Sequence, residues 1–231
     1  LTMNLDGSIS GANRRYFVYN LLEEIDMPGE WYIDPDSMLL YYYPQNRISD
    51  EVLEISTLSS VMLKLSDVHY VNFEGLEFAQ SRYDAVQLPS CTDITFDNCT
   101  FRDIEGMGIR DYVDLYRQYQ KTPNSYNIVI KNSIFNNIGF TTIDLQGGDE
   151  PTLTESGNII ENCYFSGVGT EIVGYVPAVR FLGVGITVKN CTMHNAGSHL
   201  ITGGGSLHKI YNNELFDSCK EVHDSGAIYA G

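Results

Sequence analysis

Six times along this 231-residue chain an asparagine or glycine interrupts a short alternating apolar strand, and a second short apolar strand follows at once. The six versions run over residues 71–78, 94–101, 128–135, 158–165, 186–193 and 209–215, with the turn at Gly75, Asn98, Asn132, Asn162, Asn190 and Asn212. Successive turns are 23, 34, 30, 28 and 22 residues apart, so the smallest unit is a coil of 22 residues and the longer intervals carry insertions. A unit this short cannot bury an apolar face by itself and must stack on its neighbours. The expected fold is all-β: a right-handed parallel β-helix of about six coils.

Strand side chains alternate between faces, so Ile94 and Phe96 should point into the column, and Cys99 and Phe101 again after the Asn98 turn. The turn residue should take a left-handed conformation, which Asn and Gly tolerate best. Stacking at roughly 4.8 Å per coil should then align Asn98, Asn132, Asn162, Asn190 and Asn212 into a ladder of amide hydrogen bonds. The same stacking puts Leu76, Cys99, Ser133, Cys163 and Cys191 in one interior column, so three of the five cysteines read as packed thiols. Cys91 and Cys219 lie outside that column and no CxxC pair exists, so the cysteines do not fix a redox compartment. Two Asn-Cys-Thr triplets, at Asn98 and Asn190, match a glycosylation acceptor but fall on the ladder turn.

The 43% hydrophobic content is enough for one sizeable core, and no apolar run approaches membrane-spanning length. The chain begins without Met and ends at Gly226-Ala227-Ile228-Tyr229-Ala230-Gly231, a strand in mid-repeat, so further coils of the same parent protein are expected beyond it. A net charge of −16, from 30 acidic against 14 basic residues, disfavours nucleic acid and anionic lipid as partners. It also repels polyuronates and sulfated glycans unless a divalent cation such as calcium bridges the charges, so a neutral polysaccharide or oligosaccharide is the expected partner. No DxDxDG loop or HExxH is present and the five His are scattered, so no metal site and no cofactor other than calcium is expected.

Residues 1–50 read as a lead-in or cap, and 51–231 as the helix. In the lead-in, Tyr16 to Ile25 suggests a strand turning into a short acidic helix. Residues 29–33 and 38–44, joined by Asp34-Pro35-Asp36-Ser37, suggest a hairpin with Trp31 in its core. Each coil ends in a third short strand, at 85–88, 108–111, 142–145, 178–181, 199–202 and 227–230. If their β-branched residues face inward, Gln87, Arg110, Asp144, Arg180 and Tyr229 form one outward row, the arrangement a groove for an extended glycan needs. Insertions flank that sheet: residues 111–121, with a helical stripe of Tyr112, Leu115, Tyr116 and Tyr119, and two loops, 147–156 and 169–177, placed to wall a cleft.

Glycosidic cleavage ordinarily uses two carboxylates roughly 5 to 9.5 Å apart. Candidates beside the row are Asp111, Asp144, Asp149, Glu221 and Asp224. Asp111 begins the helical insertion and suits an N-cap. Asp149 and Glu221 suit solvated loop charges. Asp144 lies between Ile143 and Leu145 with Arg110 and Arg180 as neighbours, and Asp224 stands at the entrance to the last third strand beside His223. Three coils, about 14 Å, separate these two aspartates, too far for a direct pair.

An ordered series of motifs adds a resemblance. Leu145-Gln146-Gly147-Gly148-Asp149, Thr152-Leu153-Thr154, Gly157-Asn158, Tyr175-Val176-Pro177-Ala178, Gly183-Val184-Gly185, Ser198-His199, Gly204-Gly205 with His208, and Asp224 to Gly231 resemble secreted bacterial β-helix proteins related to glycoside hydrolase family 141. Glu23-Glu24, Pro28 to Tyr32, Asp34 and Leu40 to Pro44 resemble the segment that precedes the helix in those proteins. The sequence departs from the family at Asn195-Ala196-Gly197-Ser198-His199, where Asp-Ala-Pro-His is common, and at Ser206-Leu207-His208, where Asn-Asp-His is.

The resemblance implies a secreted or periplasmic bacterial polysaccharide-degrading enzyme, with Asp224 as a catalytic carboxylate and its partner one or two coils further on. The expected function is therefore a carbohydrate-active β-helix, part of a glycoside hydrolase acting on plant or host polysaccharide. Asp224 and Asp144 are its candidate catalytic groups, and Arg110, Arg180, His199, His223 and Tyr229 its candidate sugar contacts. The alternatives are a polysaccharide lyase or epimerase on the same fold, which would use a basic residue and often calcium, and a non-catalytic glycan-binding solenoid.

Overall fold

The computed structural model describes residues 20–112, 125–172 and 174–230. The chain divides into two compact units, Leu1–Glu54 and Ile55–Gly231. In the first, β1 (Trp31–Ile33) pairs antiparallel with β2 (Leu40–Tyr42), as the hairpin signals predict. Trp31 is not core, however. It is 58% exposed, since among the described residues the two-stranded ribbon has no second layer over it. The acidic segment is a single 3₁₀ turn, Leu22–Glu24, and residues 16–19 lie outside the described residues.

The second unit is three parallel sheets that the chain visits in rotation. The first sheet stacks β4 (His69–Glu74), β7 (Thr92–Asp97), β10 (Tyr126–Lys131), β13 (Ile159–Glu161), β16 (Thr187–Lys189) and β19 (Lys209–Tyr211). The second stacks β5 (Glu77–Ser81), β8 (Thr100–Ile104), β11 (Ile134–Ile138), β14 (Tyr164–Val168), β17 (Thr192–Ala196) and β20 (Glu214–Leu215). The third stacks β3 (Leu63–Lys64), β6 (Val86–Gln87), β9 (Ile109–Arg110), β12 (Ile143–Gly147), β15 (Val179–Val184), β18 (Ile201–Ser206) and β21 (Ile228–Ala230). This is a parallel β-helix, the architecture that the repeat predicts.

Register brings like side chains together inside the column. Phe78, Phe101, Phe135 and Phe165 stack face to face at 4.7, 4.7 and 4.9 Å. Val86, Ile109, Ile143, Val179 and Ile201 line the third wall. The alternation read from sequence is thus the core itself.

Every turn between the first and second sheets is left-handed, with φ between +52° and +65° at Gly75, Asn98, Asn132, Asn162, Asn190 and Asn212. Two further left-handed columns flank it, at Tyr70, Asp93, Asn127, Gly157, Gly185 and Leu207, and at Gln80, Asp103, Asn137, Gly167, Asn195 and Asp217. In every coil the three positions are five residues apart. The amide ladder is sparser than expected. Among the described residues Asn162 donates to Asn132 at 2.7 Å and Asn132 to Asp97 at 2.7 Å, while the backbone amides of the turns do the rest of the stacking.

The residue after each turn points inward, as the cysteine column requires, except Leu76. It stands on the edge coil, where no turn of this unit stacks on its outer side, and is 45% exposed. Cys99, Ser133, Cys163 and Cys191 are buried, and each donates to the carbonyl two residues back, at 3.4, 2.7, 3.2 and 3.2 Å. The column therefore satisfies carbonyls freed where the chain bends between sheets. Its hydrogen bond with Cys191, together with burial, holds the Cys163 thiol above its ordinary range, away from reactive thiolate chemistry.

Candidate functional site

The outward row on the third sheet is set by strand register. Lys64, Gln87, Arg110, Asp144, Arg180, Thr202 and Tyr229 pair in sequence from one coil to the next. Asp144 and Tyr229 are three rungs apart, about 14 Å at the spacing of paired strands.

The row is not uniformly open. Gln87 and Arg110 are buried and Asp144 is 0% exposed, which corrects the expectation that Arg110 and Asp144 face an open cleft. Asp84, on the corner before β6, holds this end: its carboxylate lies 2.6 Å from Arg110 Nε, accepts from Gln87 Nε2 at 2.8 Å, and accepts the Met107 amide at 2.9 Å. Asp144 Oδ2 accepts Arg180 Nε at 2.7 Å, Arg180 Nη2, and the hydroxyl of buried Tyr112 at 2.5 Å. Tyr112 is the one described residue of the predicted helical stripe, since residues 113–124 lie outside the described residues.

Buried charges of both signs follow the usual electrostatic rules. Burial works against the Arg180 charge, but the Asp144 carboxylate beside it more than offsets that and holds the guanidinium above its ordinary value. Burial and then the Asp144 charge push the Tyr112 hydroxyl up. Asp111, also buried, accepts the Gln146 amide at 2.7 Å through Oδ2. Its desolvation, reinforced by the Asp144 charge, raises its carboxyl well above the ordinary range. Asp84 pairs with Arg110 and Asp144 with Arg180, so a protonated Asp111 leaves these five side chains neutral together. Among the described residues, Asp111 Oδ1, Asp144 Oδ1 and Thr142 Oγ1 have no hydrogen-bond partner.

The other end of the row is open. Arg180 is half-buried, Thr202 accompanies it on the next rung, and Tyr229 is 40% exposed. His199 is not in the row. It occupies the corner before β18 and is 3% exposed. The Tyr229 ring stacks on its imidazole at 4.9 Å and 20°, and the Tyr175 ring tilts against it at 5.7 Å. The Ser225 hydroxyl lies 2.5 Å from His199 Nδ1, and Cys219 Sγ 3.4 Å from Ser225 Oγ. Burial lowers the His199 pKa, and the nearby Asp224 carboxylate opposes the shift without cancelling it. The imidazole is therefore neutral at neutral pH. Asp224 and His223 are exposed on the same segment.

Two flanking loops border the third sheet, one on each side. Asp149 accepts the Thr152 amide at 3.2 Å and its hydroxyl at 2.5 Å, closing the turn of the 147–156 loop. The 169–177 loop delivers Tyr175, whose amide donates to Ser198 Oγ at 3.1 Å. Gly205 follows Gly183 and Gly147 in register, and a Cβ on Gly205 would meet the Gly183 carbonyl oxygen at 2.0 Å, so the backbones here approach as only glycine allows.

Residues 43–172 match the family described as the right handed beta helix region. The chain belongs to the right-handed β-helix family. Membership sets the hand of the column, which the strand register leaves open. No curated protein matches the chain. Among solved structures, the alginate lyase from Paenibacillus sp. str. FPU-7 is similar at 13% identity and a TM-score of 0.36, over 75% of this chain and 76% of that one.

On this β-helix, sequence reasoning brought Arg180 and Tyr229 into one row and His199, His223 and Asp224 to the same end. It missed Ser225, Tyr175 and Tyr112. Each is supplied by a corner or loop, where no strand periodicity points to it. Among the described residues no three His, Cys, Asp or Glu side chains gather as a metal site.

Proposed function

We propose that this β-helix is carbohydrate-active, with a glycan lying along the third sheet over Arg180, Thr202 and Tyr229. The observation that carries the reading is that open row, in register and flanked by the His199–Tyr229 stack. An aromatic ring beside guanidinium and hydroxyl donors suits a sugar, which offers one apolar face and a rim of hydroxyls. The net charge of −16 favours a neutral glycan.

The reaction proposed is glycoside hydrolysis. Asp224, exposed beside this end, supplies one carboxylate, as the resemblance to family 141 implies. Buried Asp144 acts by positioning Arg180, and His223 reaches the sugar from the segment that carries Asp224. The same resemblance supports a secreted or periplasmic site of action. A second reading, lyase chemistry, is favoured by one observation: a neutral imidazole packed on Tyr229 is the kind of basic group that proton abstraction beside a uronate carboxylate requires.

Incubation with a panel of neutral and uronate polysaccharides separates these readings. Hydrolysis of a neutral glycan that Asp224→Asn reduces at least about 100-fold, with binding retained, supports the first. Release of unsaturated ends from a uronate supports the second. Binding with no turnover, by a protein that also carries the partner carboxylate expected one or two coils further on, removes both and leaves a glycan-binding solenoid.

A further inference from the structure

Ser225 and His199 are 26 positions apart in sequence, yet their side chains meet at 2.5 Å, Oγ to Nδ1, at the open end of the row. The serine is half-buried and the histidine almost wholly enclosed between two tyrosine rings. A thiol on the far side of the hydroxyl completes its environment. Cys219 Sγ lies 3.4 Å from Ser225 Oγ and 3.7 Å from Ser218 Oγ. In the tautomer that carries its proton on Nε2, His199 offers Nδ1 as the acceptor for the Ser225 hydroxyl proton. Among the described residues, the amides of Ser225 and Gly226 donate to no acceptor, so both are available to an incoming oxyanion.

We infer that Ser225 is a nucleophile and His199 its general base, forming an acyl-transfer centre that removes ester-linked acyl groups, of the size of acetyl, from a carbohydrate hydroxyl. The placement follows the general requirement for such a centre: a hydroxyl in hydrogen-bond contact with a base, the base locked by its surroundings, and free amides at the nucleophile and the residue after it. Asp224, adjacent in sequence, is close enough for its charge to favour the imidazolium that forms during the reaction.

In the first half-reaction Ser225 Oγ bonds to the acyl carbon as its proton passes to His199 Nδ1, and the carbonyl π pair becomes the oxyanion. Collapse breaks the bond to the sugar oxygen, which leaves with the proton from His199. Water then adds to the acyl-serine, giving a proton to His199. Release of the carboxylic acid returns that proton to Ser225. No electron changes hands. That the ester is carried by a glycan rests on the function proposed above, but the Ser–His chemistry does not.

The test therefore uses probes that need no sugar. 4-Nitrophenyl acetate hydrolysis and labelling by a fluorophosphonate, located by mass spectrometry of the tryptic digest, are measured on the full chain. The expected result is stoichiometric labelling at Ser225, with ester hydrolysis falling at least about 100-fold in both Ser225→Ala and His199→Gln. Ser225→Cys keeps a nucleophile at the same place and should become alkylated by iodoacetamide faster than Cys219 of the wild type. Absence of label at Ser225, or hydrolysis unchanged in the correctly folded Ser225→Ala protein, overturns the inference. Either outcome leaves the glycan panel free to succeed or fail independently.

Discussion

Asp111 holds its carboxyl proton more tightly than most aspartates do. Its carboxyl is buried, and desolvation together with the Asp144 charge raises its pKa well above the ordinary value. The folded protein keeps this proton at pH values where the unfolded chain, with an ordinary Asp pKa of about 3.9, has released it. Stability from this group is therefore complete below the unfolded pKa and is lost as pH rises toward the folded one. Asp111→Asn imitates the protonated form and retains an acceptor for the Gln146 amide. It is expected to be more stable than wild type at neutral pH, with the difference vanishing toward pH 3, as read from urea unfolding midpoints across that range. The sequence reading put Asp111 at the start of the 111–121 insertion and suggested an N-cap, a role that turns on residues 113–124, outside the described residues. The burial that decides its chemistry comes from neighbouring coils that no local pattern encodes.

Left-handed turns are the recurring unit at the scale of the strand. Asn98 has φ +53°, an exposed side chain, and no role in the side-chain ladder that links Asn162, Asn132 and Asp97. Its contribution is conformational, so Asn98→Ala should lower stability by about 1 kcal/mol while Asn98→Gly stays within a few tenths, measured by denaturant titration. Equal losses in both variants would mean that the side chain, not the backbone, is what matters there. The central column was legible because five of its six residues are Asn. The flanking columns were not, because Tyr70, Gln80 and Leu207 adopt the same conformation with side chains that do not advertise it. There, stacking overrides the residue's own preference. The same limit hid the partial closure of the outward row: period-two alternation says which side chains leave the column, but not what later covers them.

Over the whole molecule, 30 acidic groups oppose 14 basic ones. Exposed pairs such as Lys209–Glu155 and Lys220–Asp217 weaken as salt is added, but each contributes little. The unpaired excess of 16 negative charges repels itself, and that effect dominates. Raising sodium chloride from 10 to 150 mM shortens the screening length from about 30 to about 8 Å. The thermal midpoint should therefore rise. A fall would show that the surface ion pairs, taken together, outweigh the net charge. This balance was legible from composition alone, as was the number of coils from the turn spacing. The meeting of Ser225 with His199 was not, since it depends on a corner and a loop brought together by stacking.

One consequence of the five-residue rhythm concerns where the molecule is free to change. From the first to the third left-handed position every coil uses the same ten-residue span, while the chain from there to the next coil ranges from 12 to 24 residues. Two walls of the column thus have a fixed gauge, and every gain or loss of length has been absorbed on the remaining flank. Arg180, His199, Ser225 and Tyr229 all stand on that flank, so their surroundings could be redrawn without disturbing the frame that holds them.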